Sequence, residues 1–188
     1  QMMGCVPVDR DARPLRKAII WADQRAVEQE EWLGQRISLE EVYRITGHRI
    51  SASYSLCKIL WLRDHQPEIY AGAEKFLHAK DDMIARLTGH FVTEKRAWSE
   101  SILPVADLNP NKLPEVHAST DVVGQVRAHI ADEVGLAAGT PVVIGGGDGV
   151  CAAAGAGVIQ EGAAYNYIGS SSWIALATQK PICDPLYR

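Results

Sequence analysis

Hydrophobic and polar positions alternate along this chain in short blocks, and the blocks change period several times. Val6–Val8 and residues 18–21 are apolar runs around the polar stretch Asp9-Arg10-Asp11-Ala12-Arg13-Pro14. That pattern predicts two strands joined by a turn. Asp23 is placed to cap a helix over 24–35. Ser38 and Glu41 have the S-x-x-E spacing of a capping box, and Gly47 can close the helix between them and itself. Leu56, Ile59, Leu60 and Arg63 fall at helical spacing. Their helix should stop ahead of Pro67, because a residue before proline avoids the helical region. Phe76-Leu77 reads as a short extended piece. Asp81 is placed to cap a helix running to Thr88-Gly89, and 91–93 is extended again.

The second half reads differently. Residues 99–119 carry Pro104, Pro110 and Pro114 and predict irregular chain. Val122, Val126, Ile130 and Val134 recur every fourth residue, the pattern of an amphipathic helix. Residues 140–144 predict a buried strand, Gly145-Gly146-Gly147 a turn, and Asp148 the start of a small-residue helix through Gly157. Residues 163–168 and 173–178 predict two strands around Gly169-Ser170-Ser171-Ser172. Strands and helices are mixed throughout, so the expected class is α/β. The pattern changes from helix to hairpin near Gln160-Glu161-Gly162. This suggests one domain over 1–160 and the opening of a second over 161–188.

Composition narrows the function. The chain has 188 residues, 47% of them hydrophobic, which suits a packed core rather than disorder. With 19 Lys+Arg against 23 Asp+Glu, the net charge is −4. A mildly acidic chain lacks the basic footprint that grips nucleic acid. The longest weakly charged stretch, 134–159, is broken by Pro141, three glycines and Asp148, so no membrane span is expected. No basic segment precedes an apolar core at the start, as a signal peptide would require. The four cysteines (5, 57, 151 and 183) form no CxxC pair and predict reduced core thiols, consistent with a cytoplasmic protein. The first residue is Gln1, and 181–188 follow a strand-like run without a closing element. A fragment of a longer chain is expected.

Three segments could carry chemistry. The strand–Gly-Gly-Gly–Asp148–helix unit would put a carboxylate at a strand's carboxyl end and a helix start, where α/β proteins bind ligands. Its bland alternative is that Asp148 merely caps the helix. Gly169-Ser170-Ser171-Ser172 offers hydroxyls and backbone N–H groups to a phosphate, and equally suits a hairpin turn. Trp21-Ala22-Asp23-Gln24-Arg25 combines an aromatic face with a charged pair, as a sugar site would; a core Trp beside a capped helix is the alternative. The six histidines lack metal-site spacing, and neither a P-loop nor a G-x-S-x-G elbow is present.

Further motifs, taken in order, resemble the FGGY family of carbohydrate kinases, and within it most closely the xylulokinases. Ser53-x-Ser55-x-x-Lys58-Ile59-x-Trp61-Leu62-x-Asp64-His65 fits a family signature. Gln1-Met2-Met3-Gly4 resembles its Gln-Met-His-Gly, and the 18–25 segment its Trp-Asn-Asp-x-Arg. Ala79-Lys80-Asp81 with Leu87-Thr88-Gly89 resembles Pro-Lys-Asp and Leu-Thr-Gly. Gly145-Gly146-Gly147-Asp148 resembles Gly-Gly-Gly-Asp-Asn, and Gly169-Ser170-Ser171 resembles Gly-Thr-Ser.

The resemblance implies a partial actin-like, ribonuclease-H-like ATPase fold and transfer of phosphate from ATP, with Mg²⁺, to a sugar hydroxyl of a ketopentose such as xylulose. It implies Asp148 as catalytic base. Met2, Met3, Trp21 and Asp23 match sugar-pocket positions, and Gly169, Ser170 and Ser171 a phosphate-contacting loop. Sugar and ATP are the expected partners, and a homodimer is left open. Met3 stands where the family has His, Gly149 where it has Asn, and Thr93-Glu94-Lys95-Arg96-Ala97-Trp98-Ser99 departs from Thr-Asp-x-Ser-x-Ala-Ser. The family's Asp-x-Gly-Thr hairpin is not among these residues, so the chain by itself is expected to be inactive. A non-catalytic sugar-binding or regulatory module of the same fold is the alternative.

Overall fold

The computed structural model describes residues 3–95, 98–169, 172–180 and 182. Expectations for Gln1, Met2, Arg96, Ala97, Ser170, Ser171 and Cys183 fall outside those residues. The chain divides into two compact units, residues 1–145 and 146–188. The division precedes the change of pattern at 160–162, so α7 is grouped with the hairpin that follows it.

The first unit begins with β1 (Val6–Val8), α1 (Val27–Gly34), α2 (Leu39–Thr46), α3 (Ser55–His65) and α4 (Pro67–Gly72). β2 (Lys75–Leu77), α5 (Ala79–Thr88) and β3 (Val92–Glu94) follow. A 3₁₀ turn (Pro110–Lys112) leads to β4 (Glu115–His117), β5 (Val122–Gln125), α6 (Ala128–Val134) and β6 (Pro141–Val143). Its described strands pair two by two. β1 runs antiparallel to β2 with Pro7 opposite Phe76, β3 runs parallel to β4, and β5 runs antiparallel to β6.

The expected hairpin survives as two isolated antiparallel bridges, Cys5 with Ile19 and Val8 with Pro14, while the regular strand pairing of β1 is with the more distant β2. Residues 18–21 keep only one bridge, in which Cys5 and Ile19 exchange backbone hydrogen bonds of 2.9 Å each way. Both neighbours feed the core: Phe76 and Leu77 of β2 and Ile19 of the near segment are essentially fully buried, whereas Ile20 and Trp21 stay exposed.

Local signals fare better. Ser38 caps α2 by accepting from the Glu41 N–H at 3.2 Å, and Gly47 ends that helix in the left-handed conformation (φ 73°). α3 stops at His65, and Pro67 then opens α4 at its first turn, where a proline loses no helical hydrogen bond. Two caps differ from expectation. α1 starts at Val27 behind Ala26, not behind Asp23, because Asp23 is engaged with Arg25. α5 starts behind His78, and Asp81 sits at its third position, accepting from the His78 N–H at 3.3 Å.

The helix expected over 122–134 is the main error. Val122-Val123 enter β5, where β-branched side chains are favoured. Gly124, at φ 157°, lets the strand pass α5: a Cβ there would lie 2.9 Å from Cβ of Thr88. The helix α6 begins only at Ala128. The apolar residues spaced by four thus split between a strand and a helix. β4 also appears inside the stretch expected to be irregular, and β6 is exposed at Pro141 and Val143, with only the following Ile144 buried.

The core gathers Leu33, Ile59, Leu60, Leu62 and Phe76 with Ile102 and Leu108 from the proline-rich connection. α3 supplies the largest share, since nearly every residue from Cys57 to Leu62 is buried.

The second unit holds α7 (Asp148–Gly155) and the antiparallel hairpin β7 (Ala164–Ile168) and β8 (Ser172–Leu176). Tyr167 stacks on Trp173 with ring centroids 3.9 Å apart.

Candidate functional site

In the first unit, the candidate sugar residues lie on two neighbouring segments. Met3 is half-buried and Gly4 buried; they lead into Cys5, whose backbone pairs with Ile19. Trp21 follows on the paired segment and is 51% exposed, so it is no core tryptophan. An exposed indole is what a sugar's apolar face can stack on.

Asp23 is bound to its own neighbour. Its carboxylate accepts from Arg25 Nε at 2.9 Å, Nη2 at 2.7 Å and the backbone N–H at 3.0 Å. The Arg25 hydrogen bonds hold the Asp23 carboxyl below its ordinary range, against the upward push of burial. Asp23 in turn raises Arg25 above its ordinary value. The Arg25 guanidinium lies 4.8 Å from the Trp61 ring, which also stacks on the His65 ring at 4.8 Å and has the Arg16 guanidinium at 5.9 Å. The aromatic partner of the charged pair is thus Trp61 on α3, not Trp21.

What joins the two segments is Lys58, which sequence reasoning quoted in a motif without giving it a role. Its side chain is fully buried. Its ammonium donates to the carbonyls of Met3 (2.8 Å), Ile20 (2.8 Å) and Ser53. Burial pushes the ammonium below its ordinary value, and the Asp23 carboxylate opposes that. One turn earlier on the same face of α3, the Ser55 hydroxyl donates to the Gly4 carbonyl at 2.8 Å. The signal available in the sequence was a lysine among apolar residues in the middle of a helix.

A second polar cluster surrounds Asp81. Its carboxylate meets His78 Nδ1 at 3.1 Å and Lys80 Nζ at 3.0 Å. Burial pushes the Asp81 carboxyl up, but His78 and Lys80 outweigh it and leave it below the ordinary range. Lys80 also reaches the Ile144 carbonyl at 3.3 Å. His78 is therefore a buried structural histidine, stacked on Trp98. At the end of β3, Glu94 accepts from the Ser119 hydroxyl through one oxygen, while its other oxygen has no hydrogen-bond partner among the described residues.

In the second unit, Gly147 occupies the cap position and Asp148 is the first residue of α7. Asp148 is exposed. Gly147, not Asp148, is the N-cap, and Asp148 is the acidic residue of the first turn of α7. Gly145 turns the preceding chain at φ 69°, a conformation that suits glycine. Gly169 follows β7 in the hairpin connection, and a Cβ there would come within 2.8 Å of the Tyr167 hydroxyl. Ser170 and Ser171 lie outside the described residues.

Burial pushes the Cys5 and Cys57 thiols up to about 12, so neither is a nucleophile. Cys151 is exposed, contrary to the expectation of a core thiol, because the small-residue helix α7 buries no side chain. Among the described residues, no three His, Cys, Asp or Glu side chains converge on a common metal position, and no helix is long and apolar enough to cross a membrane.

The sequence profile of the FGGY family of carbohydrate kinases, N-terminal domain, matches residues 1–155. The xylulose kinase of Escherichia coli strain K12 is 32% identical over 184 residues, covering 91% of this chain and 37% of that protein. The xylulose kinase of Bacillus subtilis strain 168 is 32% identical over 187 residues, covering 93% of this chain and 37% of that protein. The chain thus spans well under half the length of these relatives. Among solved structures, the xylulose kinase from Rhodospirillum rubrum superposes with a TM-score of 0.89 at 23% identity, over 97% of this chain and 40% of that one.

Proposed function

From the premise that this chain belongs to the FGGY family of carbohydrate kinases, whose actin-like fold it shares in part, we propose that it is the sugar-binding part of an ATP-dependent kinase acting on a ketopentose such as xylulose. In this reading residues 1–160 form the sugar-binding domain, and 161–188 open the nucleotide-binding one. Asp148 is the base. It takes the proton from the sugar's terminal hydroxyl as that oxygen bonds to the γ-phosphorus of ATP and the bond to the bridging oxygen of ADP breaks. ATP brings the phosphoryl group, and Mg²⁺ offsets phosphate charge when bound.

The observation that carries this reading is the state of Asp148. It is an exposed carboxylate at the start of a helix that does not use it as a cap. Met2, Met3, Trp21 and Asp23 are the proposed sugar positions, with the Trp21 face available for stacking. Gly169, Ser170 and Ser171 are the proposed phosphate contacts. Mg²⁺ would arrive on the nucleotide's phosphates. Because the Asp-x-Gly-Thr phosphate hairpin is not among these residues, the chain alone releases no ADP.

The test uses the complete kinase that contains this chain and its Asp148→Asn variant. Xylulose-dependent ADP release should fall by on the order of 10²- to 10⁴-fold with folding unchanged. Equal rates would remove Asp148 from the mechanism. Sugar binding by calorimetry with no ADP release in the wild type would establish the non-catalytic module instead.

A further inference from the structure

We propose that Lys58 is a positioning residue that fixes the backbone of both segments carrying the sugar positions. The inference rests on the assignment of Met3, Trp21 and Asp23 to the sugar pocket.

An ammonium has three N–H donors and no acceptor. All three donors of Lys58 are spent on backbone carbonyls, and those carbonyls come from separate stretches: Met3, Ile20 and Ser53. Each touches a sugar segment or the loop that leads into α3. Met3 is itself a sugar position, and Ile20 precedes Trp21 by one residue. The side chain is fully buried, so water cannot substitute for these partners.

Burying a cation is costly, and an apolar residue of similar volume would stabilise the core as well or better. The carbonyls do not repay that cost as a carboxylate would. What the ammonium supplies is geometry: one tetrahedral group sets three carbonyl directions at once. Ser55 extends the arrangement by donating to Gly4, and the Gln24 side chain donates to the Ser53 hydroxyl from the Trp21–Arg25 stretch. The Ser53-x-Ser55-x-x-Lys58 motif is thus a staple between two loops. Loops positioned from a rigid helix hold a ligand more closely than loops left to themselves.

The experiment compares the complete kinase with its Lys58→Met and Ser55→Ala variants in two measurements. Hydrogen–deuterium exchange reads the backbone. Amides at 3–5 and 19–23 should exchange about tenfold faster in Lys58→Met, while those of α5 stay unchanged. Steady-state kinetics reads the consequence: the KM for xylulose should rise on the order of tenfold with the KM for ATP unchanged. Ser55→Ala should move both readouts the same way by less, and it carries the comparison if Lys58→Met does not fold. Unchanged exchange in the two segments, a rise spread evenly over residues 1–145, or an unchanged sugar KM overturns the proposal. If the wild type shows no sugar-dependent ADP release, the kinase reading falls separately. The calorimetric Kd for xylulose then replaces KM, and a Kd indifferent to Lys58→Met overturns the positioning role as well.

Discussion

Asp81 shows how one residue can fold a chain and set its acid limit. It is fully buried, yet His78 and Lys80 keep its carboxyl below the ordinary range. The folded chain then holds fewer protons on Asp81 than the unfolded chain, whose value is about 3.9. Its stabilisation is complete above that value and is lost as pH falls through the lower folded value. Asp23 is depressed by Arg25 and acts in the same sense, more weakly because solvent screens it. Asp81→Asn should cost about 2 kcal/mol at neutral pH and flatten the acid limb of a denaturation curve. A limb as steep as the wild type's would assign acid sensitivity elsewhere. Trp21→Ala should leave Tm within about 2 °C, since the ring is half exposed, but weaken xylulose binding severalfold. The start of α7 at Asp148 was legible in the sequence because three glycines precede it and small residues follow. Lys58 was not, because its partners are backbone carbonyls up to 55 residues away, and carbonyls leave no mark in a sequence.

At the scale of elements, the ends of α2 and the β7–β8 hairpin were legible, and long-range strand partners were not. Ser38 and Gly47 act within a few residues of themselves, so their spacing was enough. Ser38→Ala should cost about 1 kcal/mol by denaturant titration, the usual worth of such a cap. β1 pairs with β2 as well as bridging to the nearer chain at Pro14 and Ile19, and nothing local announced the distant partner. The split of 122–134 between β5 and α6 has the same origin. Apolar residues at every fourth position suit a helix, but they also suit two elements whose buried positions happen to share that interval. Gly124 is the residue that decided it. Gly124→Ala should destabilise by about 2 kcal/mol, because the new methyl meets Thr88 and His90 at 2.9–3.0 Å. A stability within about 0.3 kcal/mol of wild type would mean that α5 yields freely there.

For the whole molecule, the two units differ in how much they bury. Residues 1–145 enclose several apolar clusters, whereas in residues 146–188 Ile168 is 80% and Ile174 75% exposed. A two-stranded hairpin is marginal without further strands or a covering layer, and large exposed apolar residues favour self-association. The chain alone should therefore associate at high concentration, and Ile168→Lys with Ile174→Lys should reduce that association without shifting the unfolding of residues 1–145. Light scattering and calorimetry on the same samples would check it, and unchanged association would place the sticky surface elsewhere.

The uneven treatment of the cysteines has a practical use. Cys5 and Cys57 are buried and hold their protons, while Cys151 is exposed one turn beyond Asp148 on α7. Among the described cysteines, a maleimide dye should therefore attach at Cys151 alone under native conditions. Brightness or anisotropy of that dye would then become an optical gauge of α7, read without radioactive phosphate or a coupled assay.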